Sequence, residues 1–185
     1  MTKKPAIFID RDGTLNEEVD HLHRPDEAVL TREAGRAIAE LNVQGIPVLI
    51  VTNQGGIGTG KFGWKDFDAV MVRLGELLSV DGAHIDGAYV CPFHPEASDD
   101  YRHKDHPERK PNPGMLLRAA KEHGIDLSRS WMIGDKGIDL EAGRNAGCRV
   151  VLVRTGHGGK VDPALADFVA EDLAMAIDQI LATWS

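Results

Sequence analysis

Two carboxylates, Asp10 and Asp12, follow the first apolar run of the chain, "AIFID". Later apolar runs end on Thr52 with Asn53 and on Asp135. Each of these residues is common in turns and helix caps. In an open parallel sheet, however, ligands bind outside the carboxyl ends of the strands, so residues in these positions can meet. Their shared position predicts a functional site at one edge of a sheet.

Three carboxylates at that edge, Asp10, Asp12 and Asp135, would repel one another unless a cation lay among them. Their ligand atoms are all oxygen, which suits Mg2+ in contact with a substrate phosphate. Asp10 can then attack phosphorus as a nucleophile, while Lys110 and Thr52 stabilise the transferring group. The residues therefore predict a phosphoaspartate mechanism with Mg2+ as cofactor.

The second carboxylate of the pair, Asp12, can serve as a proton carrier. Held slightly away from the nucleophile Asp10, it can protonate the leaving alkoxide and later deprotonate the water that hydrolyses the aspartyl phosphate. A position two residues after the nucleophile, beyond the strand, suits this division of labour.

The elements that must position these residues alternate along the chain. Short apolar runs predict buried strands at 6–10, 47–53, 87–92, 131–135 and 149–156. Helical spacing occurs between them, at 33–44, 64–78, 113–123 and 138–146, and again near 170–182. The alternation predicts an α/β fold, a Rossmann-like, doubly wound parallel sheet with helices on both faces. Two stretches outside it, 13–30 and 93–110, are expected to be functional loops.

Length and composition limit the class of protein. A chain of 185 residues with 42% hydrophobic residues suits a single domain spanning 1–185. A net charge of -8 argues against a nucleic acid partner. No apolar run approaches the roughly 18 residues of a membrane span, and no signal peptide pattern is found, so we expect no membrane and a cytoplasmic location. Two cysteines are consistent with a reducing compartment.

Four motifs, "DRDGT", "VTN", "RKPNPG" and "IGDKGIDLEAGRNAG", resemble in order those of the haloacid dehalogenase superfamily of phosphatases. Within it, the chain is similar from end to end to the heptose-1,7-bisphosphate phosphatases, sharing "TNQGGIGTGKF", "CPFHP", "RKPNPGML" and "VLVRTG". The histidinol-phosphate phosphatases share the first motifs but resemble the last stretches less. The resemblance implies a Rossmann-like sheet without a large cap domain, and hydrolysis of the C7 phosphate of D-glycero-D-manno-heptose 1,7-bisphosphate.

The resemblance also implies a role for each matching residue. Asp10 would be the nucleophile and Asp12 the acid/base, and Asp10, Asp12 (through its carbonyl) and Asp135 would bind Mg2+. Thr52 and Lys110 would stabilise the phosphoryl group. The implied substrate-binding residues are Asn53, Arg109, Lys136, which would also support the metal-binding carboxylates, and the loop residues Glu18, Val19, Asp20 and His21.

The chain departs from this family in the loop after the third strand. Members commonly hold a structural zinc there through Cys-x-His and Cys-x-Cys, but only Cys91 of these four ligands remains, with Phe93 at the histidine position. A conventional zinc site is therefore not expected. A rearranged site remains an alternative, because thiolate and imidazole both bind zinc well. It would draw on Cys91, His94, His103 and His106.

Other functions stay open. A phosphatase with the same chemistry could act on histidinol phosphate or another small sugar phosphate. A signalling receiver domain also uses Asp, Thr and Lys on a doubly wound sheet, but its phosphorylated Asp lies on a later strand, whereas Asp10 follows the first. Arg154 and the stretch 155–159 could contact substrate or only end the last strand. A monomer is adequate for this chemistry.

Overall fold

A six-stranded parallel sheet forms the centre of the computed structural model, which describes residues 3–184. Its order is β3-β2-β1-β4-β5-β6, the doubly wound arrangement predicted from the alternation of elements. The strands are β1 (Ile7–Ile9), β2 (Val48–Asn53), β3 (Gly87–Cys91), β4 (Trp131–Gly134), β5 (Arg149–Val153) and β6 (Phe168–Ala170).

The sequence analysis found five of these strands and missed β6. This strand has only three residues and pairs with β5 alone, at the edge of the sheet. Two of its residues, Phe168 and Val169, are only partly buried. Such a short edge strand lacks the long apolar run that marked the others.

Helices cover the sheet, and those predicted from periodicity are present with small shifts at their ends. The α-helices in the described part of the chain are α1 (Ala34–Val43), α2 (Gly55–Gly58), α3 (Trp64–Ser79), α4 (Gly114–His123), α5 (Gly137–Ala146) and α6 (Leu173–Trp184). The four-residue α2 was not predicted. The last helix begins at Leu173 and not near 170, because Ala170 ends β6. Gly124 and Gly147 end α4 and α5 in the left-handed conformation that glycine adopts without strain.

The sheet separates two apolar cores, as expected for helices on both faces. Ile7 and Ile9 of β1 point into one core with α1, α3 and α6, whereas Phe8 lies in the other with α4 and α5. These strand residues are fully buried, which is typical of parallel strands covered on both sides. Alternate residues of a strand therefore face opposite cores of the molecule.

The carboxyl ends of β1 and β4 lie side by side at the point where the strand order reverses. The Asp10 amide donates to the Ile133 carbonyl at 3.0 Å, so Asp10 and Asp135 leave the sheet next to each other. No helix within residues 3–184 is long and apolar enough to cross a membrane. The predicted domain extent, 1–185, includes residues 1, 2 and 185, which lie outside the described residues.

Candidate active site

A buried ammonium group lies between two carboxylates at this edge. Lys110 Nζ is 2.7 Å from Asp10 Oδ1 and 2.7 Å from Asp139 Oδ1, and it donates to the Val51 carbonyl at 2.8 Å. All three charged side chains are almost inaccessible to solvent. A buried charge is stable only when it is paired, so the three groups depend on one another.

Burial raises the pKa of Asp10 to about 6, and the nearby Asp139 charge adds to the rise while Lys110 opposes it. Burial alone would lower the pKa of Lys110, but the Asp10 and Asp139 carboxylates outweigh burial and raise it. At neutral pH the site therefore holds a protonated Lys110 beside an ionised Asp10.

Asp135 is fully buried, and one of its oxygens lacks a hydrogen-bond donor. Its Oδ2 accepts from the His157 amide at 2.8 Å, but no donor within residues 3–184 bonds to Oδ1. Lys136 Nζ lies 3.7 Å from Oδ1, and His157 Nδ1 lies 3.4 Å from Oδ2. Burial is also the main reason that the pKa of Asp135 is raised. An orphaned carboxylate oxygen of this kind is expected where a cation binds.

Ligand oxygens of Asp10, Asp135 and Asp139 all lie within 4.8 Å of one another. An oxygen-only set that includes Asp135 Oδ1, which has no donor among the described residues, fits a hard divalent cation such as Mg2+. Of the predicted metal-binding carboxylates, the structure thus brings Asp10 and Asp135 together. The Asp12 carboxylate, which the sequence analysis also placed around the cation, is not in this group, and Asp139 is there instead.

The loop after β5 packs onto Asp135. Thr155 Oγ1 donates to the Gly13 carbonyl at 2.6 Å, and the His157 amide bonds to Asp135. A Cβ on Gly156 would lie 2.3 Å from Asp135 Oδ2, so only glycine allows this approach. Arg154 Nη1 donates to the Gly158 carbonyl at 3.5 Å, within the same loop.

The Asp12 carboxylate is held by three neighbouring side chains. Arg11 donates to both of its oxygens, at 2.9 and 2.8 Å, and is itself fully buried. Asn16 Nδ2 donates at 3.1 Å, and Gln54 Nε2 donates at 2.8 Å while also bonding to Thr52 Oγ1 at 2.9 Å. These bonds fix the position of Asp12 and link it to Thr52.

A cavity of about 400 Å³ opens next to Asp12. Each residue predicted to bind substrate lines it: Glu18, Val19, Asp20, His21, Asn53, Arg109 and Lys136. Lys136 Nζ lies 2.8 Å from Glu18 Oε2, and the Lys61 ammonium contacts the His21 ring. Asp10, Thr52 and Lys110 do not line the cavity but are buried, and Gln54 connects it to Thr52.

Sequence reasoning missed Asp139, Gln54 and Arg11. Asp139 lies in α5, and its Oδ2 accepts from the Lys136 amide at 2.9 Å, so it also caps the helix that follows Asp135. A carboxylate three residues after a helix start is a capping signal, which could have drawn attention to it. Arg11 and Gln54 directly adjoin predicted site residues, but nothing in their type indicated that they would bond to Asp12.

The rearranged zinc site receives no support from the positions of its candidate ligands. The clusters of possible metal ligands within residues 3–184 comprise only Asp10, Asp135 and Asp139, and Glu18, Asp135 and His157. Cys91, His94, His103 and His106 form no such group.

Comparison with known proteins gives the family. Residues 108–176 match the HAD-hydrolase-like family. The chain is 48% identical to a D-glycero-beta-D-manno-heptose-1,7-bisphosphate 7-phosphatase of Mesorhizobium japonicum over 143 residues, which cover 77% of this chain and 66% of that relative. It is 40% identical to a D-glycero-D-manno-heptose-1,7-bisphosphate 7-phosphatase of Thermosynechococcus vestitus, covering 96% of this chain and 95% of the relative.

A solved structure gives the same result. The D,D-heptose 1,7-bisphosphate phosphatase from B. bronchiseptica, complexed with magnesium and phosphate, superposes with a TM-score of 0.84 at 32% identity, covering 97% of this chain and 99% of that one. The predicted resemblance is thereby confirmed: the chain belongs to the D-glycero-D-manno-heptose-1,7-bisphosphate 7-phosphatase family of HAD-like hydrolases.

Proposed function

We propose that this protein is a Mg2+-dependent phosphatase that hydrolyses the C7 phosphate of D-glycero-D-manno-heptose 1,7-bisphosphate and leaves heptose 1-phosphate. The observation that carries the chemistry is the buried cluster in which Lys110 lies 2.7 Å from Asp10 and the Asp135 Oδ1 lacks a donor. The substrate is proposed from relatives that bear this name and align with up to 96% of the chain.

The residues that would hold Mg2+ are Asp10, Asp135 and the carbonyl of Asp12. When bound, the cation supplies positive charge beside the phosphoryl oxygens and offsets the repulsion between the carboxylates. Lys110 supplies a second positive charge from within the protein. Asp139 holds Lys110 in place, since its Oδ1 is 2.7 Å from Nζ.

In the first step, a carboxylate oxygen of Asp10 attacks phosphorus. A bond forms between Asp10 and phosphorus as the bond between phosphorus and the C7 oxygen breaks. Asp12 gives its proton to the departing oxygen, so the sugar leaves as an alcohol. The hydrogen bonds from Arg11 and Gln54 keep the Asp12 carboxyl in one orientation for this transfer.

In the second step, Asp12 takes a proton from water. The water oxygen bonds to phosphorus, the bond between phosphorus and Asp10 breaks, and inorganic phosphate is released. The Asp10 carboxylate and a protonated Asp12 are restored. The same two carboxyls thus serve both halves of the reaction with their roles reversed.

The remaining predicted residues bind and orient the substrate. Thr52 and Lys110 stabilise the transferring group, while Asn53 and Arg109 contact the substrate. The loop residues Glu18, Val19, Asp20 and His21 contact the sugar. Lys136 neutralises Glu18 and Asp135, because its ammonium lies between them at 2.8 and 3.7 Å. Asn53, Arg109, Lys136 and the four loop residues all line the cavity, which supports their roles in substrate binding.

A substrate panel tests the function. The purified protein is given Mg2+ and either anomer of heptose 1,7-bisphosphate, fructose 1,6-bisphosphate or histidinol phosphate, and phosphate release is measured. We expect kcat/KM for one heptose anomer to exceed the others by about a hundredfold, a gap of a few kcal/mol in transition-state binding. Weak, similar rates on all four would contradict the heptose substrate. Turnover that stops near one phosphoryl group per chain would indicate a receiver domain.

The wider setting is also part of the proposal. We place the protein in the cytoplasm as a monomer that folds as one domain and acts on a small sugar bisphosphate without a nucleic acid partner. The net charge of -8 supports the last point, since like charge repels a phosphate backbone.

A further inference from the structure

The segment 92–108, here called the β3 loop, joins β3 to the residues before Lys110 and contains three histidines. Each histidine ring accepts a hydrogen bond from the backbone two residues later. His94 Nδ1 accepts from Glu96 at 3.1 Å, His103 Nδ1 from Asp105 at 3.2 Å, and His106 Nδ1 from Glu108 at 3.1 Å. The three bonds stabilise turns inside the loop.

These bonds determine what the rings can offer a metal. A ring nitrogen that accepts a hydrogen bond uses its lone pair, and in neutral imidazole the other nitrogen then carries the proton. His94, His103 and His106 are thus in the form with a proton on Nε2. None can bind zinc without breaking a loop bond or moving that proton.

Cys91 is equally unsuited to zinc. It is fully buried at the end of β3, and burial raises the pKa of its thiol. Within residues 3–184 it belongs to no group of three or more possible metal ligands, whereas a structural zinc takes four. The residues present therefore do not fit the structural zinc that the family resemblance implies.

Phe93 lies instead at the centre of a cluster of rings in the β3 loop. Its ring stacks on the His106 ring, with centroids 3.7 Å apart and planes at 8°. It also meets the Tyr101 ring edge-on at 5.7 Å and the His103 ring at 6.3 Å. Trp64 Nε1 of α3 donates to the Tyr101 hydroxyl at 3.0 Å, which ties the cluster to the helix.

The backbone of Phe93 connects this cluster to the active-site cavity. Its carbonyl accepts from Arg109 Nη1 at 2.8 Å, and Arg109 lines the cavity. The Arg109 amide in turn donates to the His106 carbonyl at 2.9 Å. Arg109 is therefore held at both its guanidinium and its backbone by the two residues whose rings stack.

We propose that the ring cluster centred on Phe93 takes the place of a structural zinc in the β3 loop, and that Phe93 is a positioning residue for Arg109. The ring contacts fix the loop, and the loop presents the carbonyl that orients the guanidinium. The statement about Arg109 rests on the proposed function, because it assumes that Arg109 binds substrate. The statement about zinc does not.

Metal exchange tests the absence of zinc. The zinc content of the purified protein is measured first. The protein is then stripped with EDTA, and Mg2+ alone is returned. We expect far less than one zinc per chain before stripping, full recovery of phosphate release with Mg2+, and no rise in Tm on adding zinc. One tightly bound zinc per chain, or recovery that requires zinc, would overturn the proposal.

The state of the histidine rings gives a test that needs no substrate. Long-range proton–nitrogen correlation NMR distinguishes a ring that carries its proton on Nε2 from one protonated on Nδ1. We expect the Nε2 form for His94, His103 and His106, unchanged when zinc is added. A shift of any of them to the Nδ1 form, or loss of its signals with stoichiometric zinc, would contradict the proposed bonds.

Two substitutions at Phe93 separate a ring from mere apolar volume. Phe93→Tyr keeps the ring, whereas Phe93→Leu keeps a bulky apolar side chain without it. We expect Phe93→Leu to speed amide exchange in the β3 loop, because the ring contacts that hold the loop are lost. We also expect KM to rise about tenfold with a smaller change in kcat, because a misplaced Arg109 weakens substrate binding. Phe93→Tyr should stay near wild type in both measurements. Leu117→Ala, on the half-exposed surface of α4, is the control for a general loss of packing.

The outcomes distinguish this inference from the proposed function. KM is measured on whichever panel substrate gives the highest kcat/KM, so a different substrate leaves the test intact. Exchange and KM both unchanged in Phe93→Leu would overturn the role of the ring cluster. Faster exchange with an unchanged KM would overturn the link to Arg109. A change in KM as large in Phe93→Tyr as in Phe93→Leu would rule out stacking as the cause.

Discussion

The Asn53 side chain forms hydrogen bonds with both the backbone amide and the backbone carbonyl of Lys110. The Lys110 amide donates to Asn53 Oδ1 at 3.0 Å, and Asn53 Nδ2 donates to the Lys110 carbonyl at 3.0 Å. Asn53 ends β2, so this pair of bonds fixes the lysine backbone to the edge of the sheet. Asn53 thus positions Lys110 in addition to lining the cavity.

Asn53→Ala removes both bonds. We expect a loss of about 2 kcal/mol in the free energy of unfolding, at about 1 kcal/mol for each bond, because the partner groups lie in a partly buried site. Displacement of Lys110 should lower kcat by about tenfold to a hundredfold. Chemical denaturation and steady-state kinetics measure the two effects.

Asn145→Ala is the matched control for this substitution. Its Nδ2 donates to the neighbouring Pro111 carbonyl at 3.2 Å, but the side chain is exposed and does not line the cavity. We expect kcat close to wild type. An equal loss of kcat in both variants would contradict a specific role for the Asn53 bonds.

Gly156→Ala should damage the cation site. The residue has a φ of +54°, and an added Cβ would lie 2.3 Å from Asp135 Oδ2 and 2.8 Å from the Gly13 Cα. Relief of this overlap requires Asp135 or the loop after β5 to move. We expect the Mg2+ concentration for half-maximal activity to rise about tenfold or more. A titration of phosphate release with Mg2+ measures it.

Gly159→Ala provides the comparison within the same loop. Nothing lies within 4 Å of a Cβ at Gly159. Its Mg2+ dependence should match that of the wild type. If Gly156→Ala also matched the wild type, the close packing of this loop on Asp135 would have no part in metal binding.

Asp10 should make the metal-free protein less stable as pH rises. Its pKa is about 6 in the folded protein against an ordinary value of 3.8. The unfolded chain therefore loses this proton first, and the folded protein loses stability as pH rises between these two values. Above about pH 6, burial of the ionised Asp10 lowers the free energy of unfolding by its full amount. Below the ordinary pKa of 3.8, Asp10 is protonated in both states and this loss disappears.

Asp10→Asn removes this charge while keeping the shape of the side chain. In EDTA at about pH 8 we expect a Tm a few degrees above wild type, and at about pH 3 we expect almost no difference, because Asp10 is then largely protonated in both the folded and the unfolded state. Mg2+ should raise the Tm of the wild type at about pH 8 but not that of the variant. Calorimetry at the two pH values measures these shifts.

Asp68→Asn, a change at an exposed carboxylate of α3, controls for the loss of one negative charge. Its Tm should differ little from wild type at either pH. A Tm for metal-free Asp10→Asn below that of wild type at about pH 8 would contradict the unfavourable burial of the Asp10 charge.

Much of the fold and site could be predicted because strong local signals agreed. The apolar runs at β1, β2 and β4 predicted the sheet, and a parallel sheet brings their carboxyl ends together, so Asp10, Thr52 and Asp135 lie at one edge. The edge strand β6 was missed because three partly buried residues carry little pattern.

The contacts between side chains could not be predicted in this way. Asp139 lies inside a helix and Arg11 lies between two carboxylates, and residue type alone does not show that one meets Lys110 and the other Asp12. Likewise, the family resemblance indicated that Phe93 stands where relatives commonly carry a zinc-binding histidine, but its stacking on His106 depends on how the β3 loop folds. Such contacts depend on tertiary packing, which a linear pattern does not specify.

The central claim is that Asp10 carries the phosphoryl group, and trapping that group tests it most directly. Asp12→Asn protein, which lacks the acid of the first step and the base of the second, is incubated with Mg2+ and bisphosphate radiolabelled at the C7 phosphate until labelling is complete, then quenched in acid and digested. We predict close to one label per chain, on the peptide that contains Asp10, and none in the Asp10→Asn protein, which should also be inactive. Label on another residue, or full activity in Asp10→Asn, would contradict the account.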